Sequence, residues 1–304
     1  MVRYKFQHTQ NNLFFQLTYQ RTSKEGKLCY DQEKNKGEAM KENNQGKIAL
    51  VTGATGAIGK AIARQLAAKK YTVVLVARDE LKAQITIADI NNDTGNENLR
   101  YEIADLSKLE DIEALAERWQ GPLHILVNDA AVTPPTRQEN QAGIELQFAT
   151  NVLGYFRMTY FFQEILHSAS PARIVDVASY WAGGLRLDDL QFTKRSYSNG
   201  AAYRQSKQAN RMLVAAWADH LAPRGIAINA CHPGDVRSTL SRNLGFGGFQ
   251  SPDQGAETPV WLATSPVGGQ VSGKYFENKT QKTDPFTVEK DEARALFDIC
   301  LTYQ

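Results

Sequence analysis

The chain has 304 residues, of which 42% are apolar and 22% are charged, a composition typical of a globular protein. Its formal net charge of +2 gives no electrostatic reason to expect binding to nucleic acid or to an anionic membrane surface. Cys29, Cys231 and Cys300 lie at distant, unpatterned positions that predict neither a disulfide framework nor a zinc site. No apolar run reaches the roughly 18–20 residues of a membrane-spanning helix. We therefore expect a soluble, cytoplasmic protein with reduced thiols and no bound metal.

Residues 1–45 differ in composition from the rest of the chain. They are rich in Asn, Gln and Lys, lack sustained periodicity, and carry no acidic residue before Glu25. This composition favours a disordered extension. The early basic residues also fit an organelle-targeting presequence, and a third reading places the start of synthesis at Met40. The sequence leaves all three readings open.

From Gly46 onward, short apolar runs alternate with helical stretches. The predicted strands lie, in order, in KIALVTG, TVVLVAR, LRYEIADL, LHILVND, RIVDVAS and IAINACHPG. The predicted helices include one from Asp79 to about Ile90, one from about Ile144 to His167, and one over residues 201–221. Such alternation predicts a parallel sheet with helices on both faces. We expect a single-domain α/β Rossmann fold, a doubly wound sheet, over residues 46–304.

A glycine-rich turn, TGATGAIG, joins the first strand to its helix. Gly53 permits the sharp exit from the strand, Gly56 lets the backbone approach a pyrophosphate, and Gly59 lets the helix pack on the sheet. The helix then begins with free N–H groups and the positive end of its dipole. Because the turn lies directly between a strand and a helix, it predicts a dinucleotide site. The residues assigned to it are Gly53, Thr55, Gly56, Ile58 and Gly59.

The ends of the next two strands predict which dinucleotide binds. Arg78 ends the second strand, where an Arg accommodates a 2′-phosphate and an acidic residue binds the ribose hydroxyls. NADP(H) is therefore favoured over NAD(H), with Lys60 as a second positive charge, although Asp79 offers an acidic alternative one position later. Asp105, followed by Leu106, closes the third strand and is assigned to the adenine. Its alternative role is to cap the next helix.

The helix over residues 201–221 places Tyr203 and Lys207 four positions apart and so on one face. The pair is either a solvated surface pair or an acid/base pair in which the ammonium lowers the pKa of the phenol. A downward shift of about two units requires roughly 2.7 kcal/mol of differential interaction. A partly desolvated ammonium a few ångströms away can supply that.

The glycine turn, then VASY, then YRQSK occur in an order that closely resembles the short-chain dehydrogenase/reductase superfamily over about residues 46–280. The family's T-G-x-x-x-G-[IL]-G is matched by Thr52–Gly59, its Y-x-x-x-K by Tyr203–Lys207, and its strand-ending serine by Ser179. Residues 188–212 and the stretch GKYF are most similar to the retinol dehydrogenase-like and WW-domain oxidoreductase-like branch. The remaining matches are Asn128, Ala130, Asn151, Pro233 and Gly234.

One departure from the family pattern follows the fourth strand. The family has N-N-A-G there, whereas this chain has NDAA. Asp129 replaces an amide, and Ala131 places a Cβ where the family has glycine beside the nicotinamide path. We expect this variation to narrow the cofactor cleft slightly and to be tolerated.

The resemblance implies hydride transfer between a nicotinamide and the carbonyl or alcohol group of a moderately apolar small molecule. It implies that Tyr203 exchanges the proton and that Ser179 hydrogen-bonds the substrate oxygen. It further implies that Lys207 binds the nicotinamide ribose and that Asn151 holds a water linking Lys207 to solvent. Residues 181–199 and 235–250 are expected to form the substrate wall and lid.

Two other functions remain open at this point. One is a catalytically weak nucleotide-binding regulatory or scaffold protein of the same fold, against which the intact Ser179, Tyr203 and Lys207 argue. The other is a reductase of a pigment or lipid double bond. The resemblance also implies a homodimer or homotetramer, and we expect no nucleic-acid partner and no membrane span.

Overall fold

The computed structural model describes residues 44–287 and 290–304. Residues 1–43 lie outside this part, and with them the three readings of the N-terminal extension. The described residues form an eight-stranded sheet in the order β3-β2-β1-β4-β5-β6-β7-β8. The strands are β1 (Ile48–Thr52), β2 (Thr72–Ala77), β3 (Leu99–Ile103), β4 (Ile125–Asn128), β5 (Ala172–Val177), β6 (Ile226–His232), β7 (Lys274–Glu277) and β8 (Thr280–Lys282).

The first seven strands are parallel and β8 is antiparallel to β7. All six strands predicted from the apolar runs are therefore confirmed. Strands β7 and β8 have only four and three residues, and β8 is exposed along its whole length, so neither produces a recognisable apolar run. The doubly wound α/β fold is confirmed, with helices covering both faces of the sheet.

The helices that cover the sheet follow the strands in the predicted alternation. They are α1 (Ala57–Ala68), α2 (Glu80–Thr94), α3 (Leu109–Glu117), α4 (Gly154–Ser168), α5 (Asn199–Leu221), α6 (Thr239–Asn243), α7 (Pro252–Thr264), α8 (Pro266–Gln270) and α9 (Lys290–Leu301). Short 3-10 turns lie at Leu187–Asp189, Ala222–Arg224 and Pro285–Thr287. Within the described residues, no helix is both long and apolar enough to cross a membrane.

The core consists of two layers, one on each face of the sheet. Leu50, Leu126 and Ile228 pack with α4, α5 and α9 on one face, while Val51 and Val127 pack with α1 and α7 on the other. All of these side chains are fully buried. Each such burial contributes about 1.5–3 kcal/mol relative to exposure. The two layers hold the central strands rigidly, so the loops at their carboxyl ends have fixed positions.

The helix predicted from about Ile144 to His167 is confirmed, but its first part contains a π-helical segment that was not predicted. Helical backbone begins at Leu146, and residues Phe148–Leu153 form the π-helical segment that leads into α4. The Glu145 carboxylate accepts hydrogen bonds from the backbone N–H groups of Gln147 and Phe148 at 2.9 and 2.7 Å. The side chain therefore caps the helix and ends the preceding loop. Sequence periodicity does not register such a π segment, although these segments occur often at functional sites.

Candidate active site

A cavity of about 380 Å³ opens at the carboxyl ends of β1, β2, β4 and β5. Ligands of doubly wound sheets bind at this edge, where the strand order reverses between β1 and β4. The size lies within the range of small-molecule sites. The predicted site residues that line this first cavity are Gly53, Thr55, Gly56, Ile58, Arg78, Leu106, Ala130, Tyr203, Lys207 and Pro233.

The glycine turn has the geometry that a bound pyrophosphate needs. Gly53 has a φ of +64°, and a Cβ there would lie 2.7 Å from the Ala130 Cα. A Cβ on Gly59 would lie 2.4 Å from the Gly53 carbonyl oxygen, so only glycine permits this close packing. Gly56 caps α1 without a side-chain hydrogen bond, and the first turn has no acidic residue. The Gly59 N–H interacts with the buried Asp129 carboxyl group. The other N–H groups of the first turn and the dipole of α1 favour an anion, and the residues present fit a dinucleotide.

Arg78 lines the first cavity and its side chain is exposed there. Asp79, the acidic alternative, accepts a hydrogen bond from the Lys82 backbone N–H at 3.0 Å and caps α2. Lys60 forms an ion pair with Asp89 at 2.5 Å and does not line the cavity. Asp79 and Lys60 thus each have a partner on helix α2, and Arg78 is a basic side chain that lines the first cavity at the end of β2.

Three predicted cofactor residues support the first cavity without lining it. The Asp105 carboxylate accepts hydrogen bonds from the backbone N–H and hydroxyl of Ser107 at 3.0 and 2.9 Å, so it forms the turn before α3. The Asn128 amide donates to Asp176 at 2.9 Å within the sheet. Gly59 packs against the glycine turn. The Asn128 amide oxygen is buried and has no hydrogen-bond partner in the protein, so contact of Asp105 or Asn128 with a cofactor remains a prediction.

Tyr203 and Lys207 lie side by side on α5 beneath the first cavity. Their side chains are buried, with 7% and 2% of their surface exposed, so the surface-pair reading is wrong. The Lys207 ammonium donates to the Val177 carbonyl oxygen at 2.7 Å. It lies 5.2 Å from the centroid of the Tyr155 ring and 5.8 Å from that of Tyr203. The lysine is thus held between the end of β5 and the two tyrosines.

Burial raises the pKa of Tyr203, and hydrogen bonding with the Ser179 side chain acts in the opposite direction. Asp129 and Asp235 raise this pKa further because their negative charges disfavour a phenolate. The expectation that Lys207 lowers the pKa of Tyr203 is therefore wrong for this structure. Burial is the largest cause of the upward shift. Tyr203 is consequently a neutral phenol at physiological pH.

Two buried acids, Asp129 and Asp176, accompany Lys207. Burial lowers the pKa of the lysine, while both carboxyl groups act to raise it. Burial also raises the pKa of Asp129, opposed by Lys207 and by a hydrogen bond from the Gly59 backbone. It raises the pKa of Asp176 to about 7. The sequence identifies Asp129 only as a departure from the family pattern. Asp176 was not predicted as a site residue, although an acid within the apolar run RIVDVAS was a signal.

Replacing Asp176 by Asn is expected to stabilise the protein increasingly as pH rises. The folded-state pKa lies above that of the unfolded chain, so the folded state loses stability between about pH 4 and pH 7 as the carboxyl group ionises. Asn keeps the size and the partner Asn128 but has no charge to desolvate. Urea unfolding should show a larger stability gain at about pH 8 than at about pH 5. Asp298→Asn, on the exposed side of α9, is the control. A stability of Asp176→Asn that falls further below that of the parent as pH rises would contradict this expectation.

Asn151 lies in the π-helical segment and is fully buried. Its amide oxygen accepts a hydrogen bond from the Val132 N–H at 2.8 Å, and its amide nitrogen donates to the Val132 carbonyl at 3.1 Å. Asn151 thus fixes the loop after β4 that borders the first cavity. The proposed water relay from Asn151 to Lys207 remains a prediction.

A second cavity, of about 290 Å³, adjoins the first. Tyr203 lines both cavities, and Ser179 lines the second. The Trp181 ring lies 6.0 Å from that of Tyr203 and 5.7 Å from that of Phe246, between ring centroids. Both predicted segments, 181–199 and 235–250, contribute lining residues. The predicted cofactor residue Gly234 lines this second cavity and not the first.

Arg211 positions Ser179, and sequence analysis missed it. It lies one turn after Lys207 on the same face of α5 and is buried. Its guanidinium pairs with both oxygens of Asp284 at 3.0 and 2.7 Å and donates to the Ser179 carbonyl at 3.4 Å. The end of β5 is thereby tied to the segment after β8. The i+4 spacing from Lys207 was the signal that could have revealed it.

The two adjoining cavities, at the edge of the sheet where nucleotides bind, define the class of protein: a Rossmann-type oxidoreductase that uses a dinucleotide. The sequence model of the family described as short chain dehydrogenase matches residues 47–245. The chain belongs to this family, and it is an NAD(P)-dependent oxidoreductase acting on alcohol or carbonyl groups.

Curated relatives lie in the retinol dehydrogenase-like branch. Retinol dehydrogenase 12 of Mus musculus is 36% identical over 247 residues, covering 77% of this chain and 78% of that protein. Retinol dehydrogenase 13 of Mus musculus is 33% identical over 273 residues, covering 83% and 82%. A solved structure of an actinorhodin polyketide ketoreductase variant with NADPH is similar with a TM-score of 0.59 and 25% identity, covering 76% of this chain and 95% of that one.

Proposed function

We propose that this protein uses NADPH to reduce the carbonyl group of a moderately apolar small molecule, with Tyr203 as the proton donor. The observation that carries the proposal is the position of Tyr203, which lines both the first and the second cavity. A cofactor bound in the first cavity and a carbonyl compound bound in the second cavity would both contact the Tyr203 side chain.

Each polar group at this junction has a separate chemical role in the proposal. When bound, the reduced nicotinamide supplies the hydride. The hydroxyls of Ser179 and Tyr203 stabilise the negative charge that develops on the carbonyl oxygen. Tyr203 then donates its proton to that oxygen. Lys207, fixed by the Val177 carbonyl, holds the cofactor's ribose and offsets negative charge beneath the tyrosine.

The protonation state of Tyr203 matches the reduction step. Burial raises the pKa of Tyr203, so the phenol is protonated at neutral pH and carries the proton that reduction consumes. The reverse oxidation would use the same groups, with the phenolate as the base. The ratio of reduced to oxidised cofactor sets the net direction, and we propose reduction with NADPH as the reductant.

A panel assay tests the proposal. The purified protein is incubated with NADPH and with aldehydes, ketones and retinoids, and NADPH absorbance and products are followed. Retinoids are included because two relatives are named for retinol. An alcohol product from at least one carbonyl compound is expected. NADPH binding without turnover would support the scaffold alternative, and loss of a C=C bond would support the double-bond reductase.

We further propose that the cofactor is NADP(H), because Arg78 is the basic side chain at the ribose end of the first cavity. Arg78→Ala should weaken NADPH binding by about 10- to 100-fold, the worth of a charge-assisted hydrogen bond. NADH affinity should change little, because NADH lacks the 2′-phosphate. Fluorescence titration with both cofactors checks this, with the exposed Arg294→Ala as a control. An equal loss for both cofactors would contradict NADP(H) selectivity.

A further inference from the structure

The second cavity has one apolar, aromatic side. Trp181 forms it together with Phe246, which meets the indole edge-on at an interplanar angle of 88°. Phe249 adds an aromatic rim and is 87% exposed. A flat, apolar ring system fits such a surface, since offset and edge-to-face ring contacts are favourable.

The other side of the second cavity is polar. Tyr180 and His232 pack edge to face with their ring centroids 4.6 Å apart. The Tyr180 hydroxyl lies close enough to the Asp235 carboxylate for that charge to raise the pKa of the phenol further, after burial, which is the larger cause. Burial lowers the pKa of His232 to about 4, so the imidazole is neutral at physiological pH. Among the described residues that line this cavity, Asp235 is then the one charged side chain.

Asp235 is held in place by the segment that follows it. Its backbone carbonyl accepts hydrogen bonds from the N–H groups of Phe249 and Gln250 at 2.7 and 3.0 Å. Val236 continues this link by a bridge to Gln250. The backbone of Asp235 therefore has a fixed position, and its carboxylate is close enough to Tyr203 and His232 for its charge to act on both.

We propose that Asp235 selects substrates by charge. The second cavity takes a planar, aromatic carbonyl compound that carries a hydrogen-bond donor, a hydroxyl or an ammonium group, away from the reacting carbonyl. A carboxylate at the same position is rejected, because like charges within a low-dielectric cavity repel. This inference rests on the proposed carbonyl reduction and adds the substrate class.

The test uses three para-substituted benzaldehydes that share one reacting carbonyl. The substituents are hydroxymethyl, dimethylaminomethyl, which is an ammonium at neutral pH, and carboxylate. The value of kcat/KM with NADPH is measured for the parent, for Asp235→Asn and for Asp219→Asn. Asn keeps the size of Asp235 and removes its charge. Asp219 lies exposed on α5, outside the second cavity. Asp219→Asn also removes one negative charge and is therefore the matched control.

In the parent, kcat/KM should be at least about tenfold lower for the carboxylate than for the hydroxymethyl compound. Asp235→Asn should raise the carboxylate-to-hydroxymethyl ratio by about tenfold and lower the ammonium-to-hydroxymethyl ratio. Intrinsic reactivity cancels in these comparisons between variants. Asp219→Asn should leave both ratios as in the parent. Ratios in Asp235→Asn that stay within about twofold of the parent would overturn the inference.

A binding measurement separates this inference from the proposed function. The same three compounds are titrated into the NADP⁺ complex by calorimetry, which needs no turnover. Tighter binding of the ammonium and hydroxymethyl compounds than of the carboxylate, lost in Asp235→Asn, supports charge selection even if no compound is reduced. Absence of reduction would then count against the proposed function alone. Equal binding of all three compounds would overturn the inference.

Discussion

Tyr203→Phe is expected to lower kcat by about 100- to 10,000-fold, the usual contribution of a positioned general acid. The phenol is the proton donor at the junction of the two cavities, and Phe has no proton to give. The ring packing against Trp181 is kept, so the affinity for NADPH should stay close to that of the parent. Steady-state turnover and fluorescence titration of NADPH measure the two quantities separately.

Tyr160→Phe is the matched control for this change. Tyr160 lies on α4, where its ring packs on Phe156 and Phe161 at a distance from both cavities. Loss of its hydroxyl should leave kcat unchanged. A Tyr203→Phe variant that turns over within a few-fold of the parent would refute the assignment of Tyr203 as the acid.

Lys207→Met is expected to damage catalysis, cofactor binding and stability together. The ammonium lines the first cavity, so NADPH should bind about tenfold more weakly without this charge-assisted contact. Its removal also leaves Asp129 and Asp176 without their cation. Loss of one partner of a buried ionic cluster destabilises by about 3–5 kcal/mol. At low pH, protonation of Asp129 and Asp176 removes part of the unpaired buried charge. The loss of stability in Lys207→Met should therefore be larger at about pH 8 than at about pH 5.

Two further variants serve as controls for the effect of Lys207→Met on stability. Lys82→Met removes an amine whose side chain is 70% exposed, and stability should change by no more than about 0.5 kcal/mol. Adding Asp129→Asn to Lys207→Met removes an uncompensated carboxyl group and should recover part of the lost stability. If Lys207→Met unfolds like the parent at both pH values, the buried cluster is not an ionic one.

The fold was predictable from the sequence because its strands are buried on both faces. All four residues of β4 are buried, so the sequence shows an apolar run there and not an alternation of apolar and polar residues. The glycine turn was predictable for a related reason, since Gly53 and Gly59 leave no room for a side chain. Constraints of this kind act between residues that are close in the chain, so they can be recognised from the sequence alone.

The electrostatics of the site were not predictable in the same way. The spacing of Tyr203 and Lys207 placed both on one face of a helix, and the structure agrees with that. The sign of the pKa shift of Tyr203 depends on burial and on Asp129 and Asp235, which follow β4 and β6. Strand pairing across the sheet brings these groups together, and a single stretch of sequence does not contain that information.

The predicted cofactor-binding residues also fall into two groups, those located by local sequence and those whose contacts depend on the packed structure. Gly53, Gly56 and Ile58 of the glycine turn, which were assigned to the cofactor, line the first cavity. Asp105 and Asn128 were assigned to the cofactor from their positions at strand ends, and each also hydrogen-bonds within the protein, to Ser107 and Asp176. A polar residue at a strand end has several candidate partners, and only the packed structure decides among them.

Transfer of deuterium to a carbonyl substrate from NADPH that carries deuterium at both hydrogen positions of the nicotinamide C4 tests the central claim most directly. The parent protein should give an alcohol with one deuterium on the former carbonyl carbon, detected by mass spectrometry. Tyr203→Phe should form this product at a rate lower by at least about 100-fold. An alcohol without the label, or labelled product formed by Tyr203→Phe at the parental rate, would contradict hydride transfer at a tyrosine-assisted site.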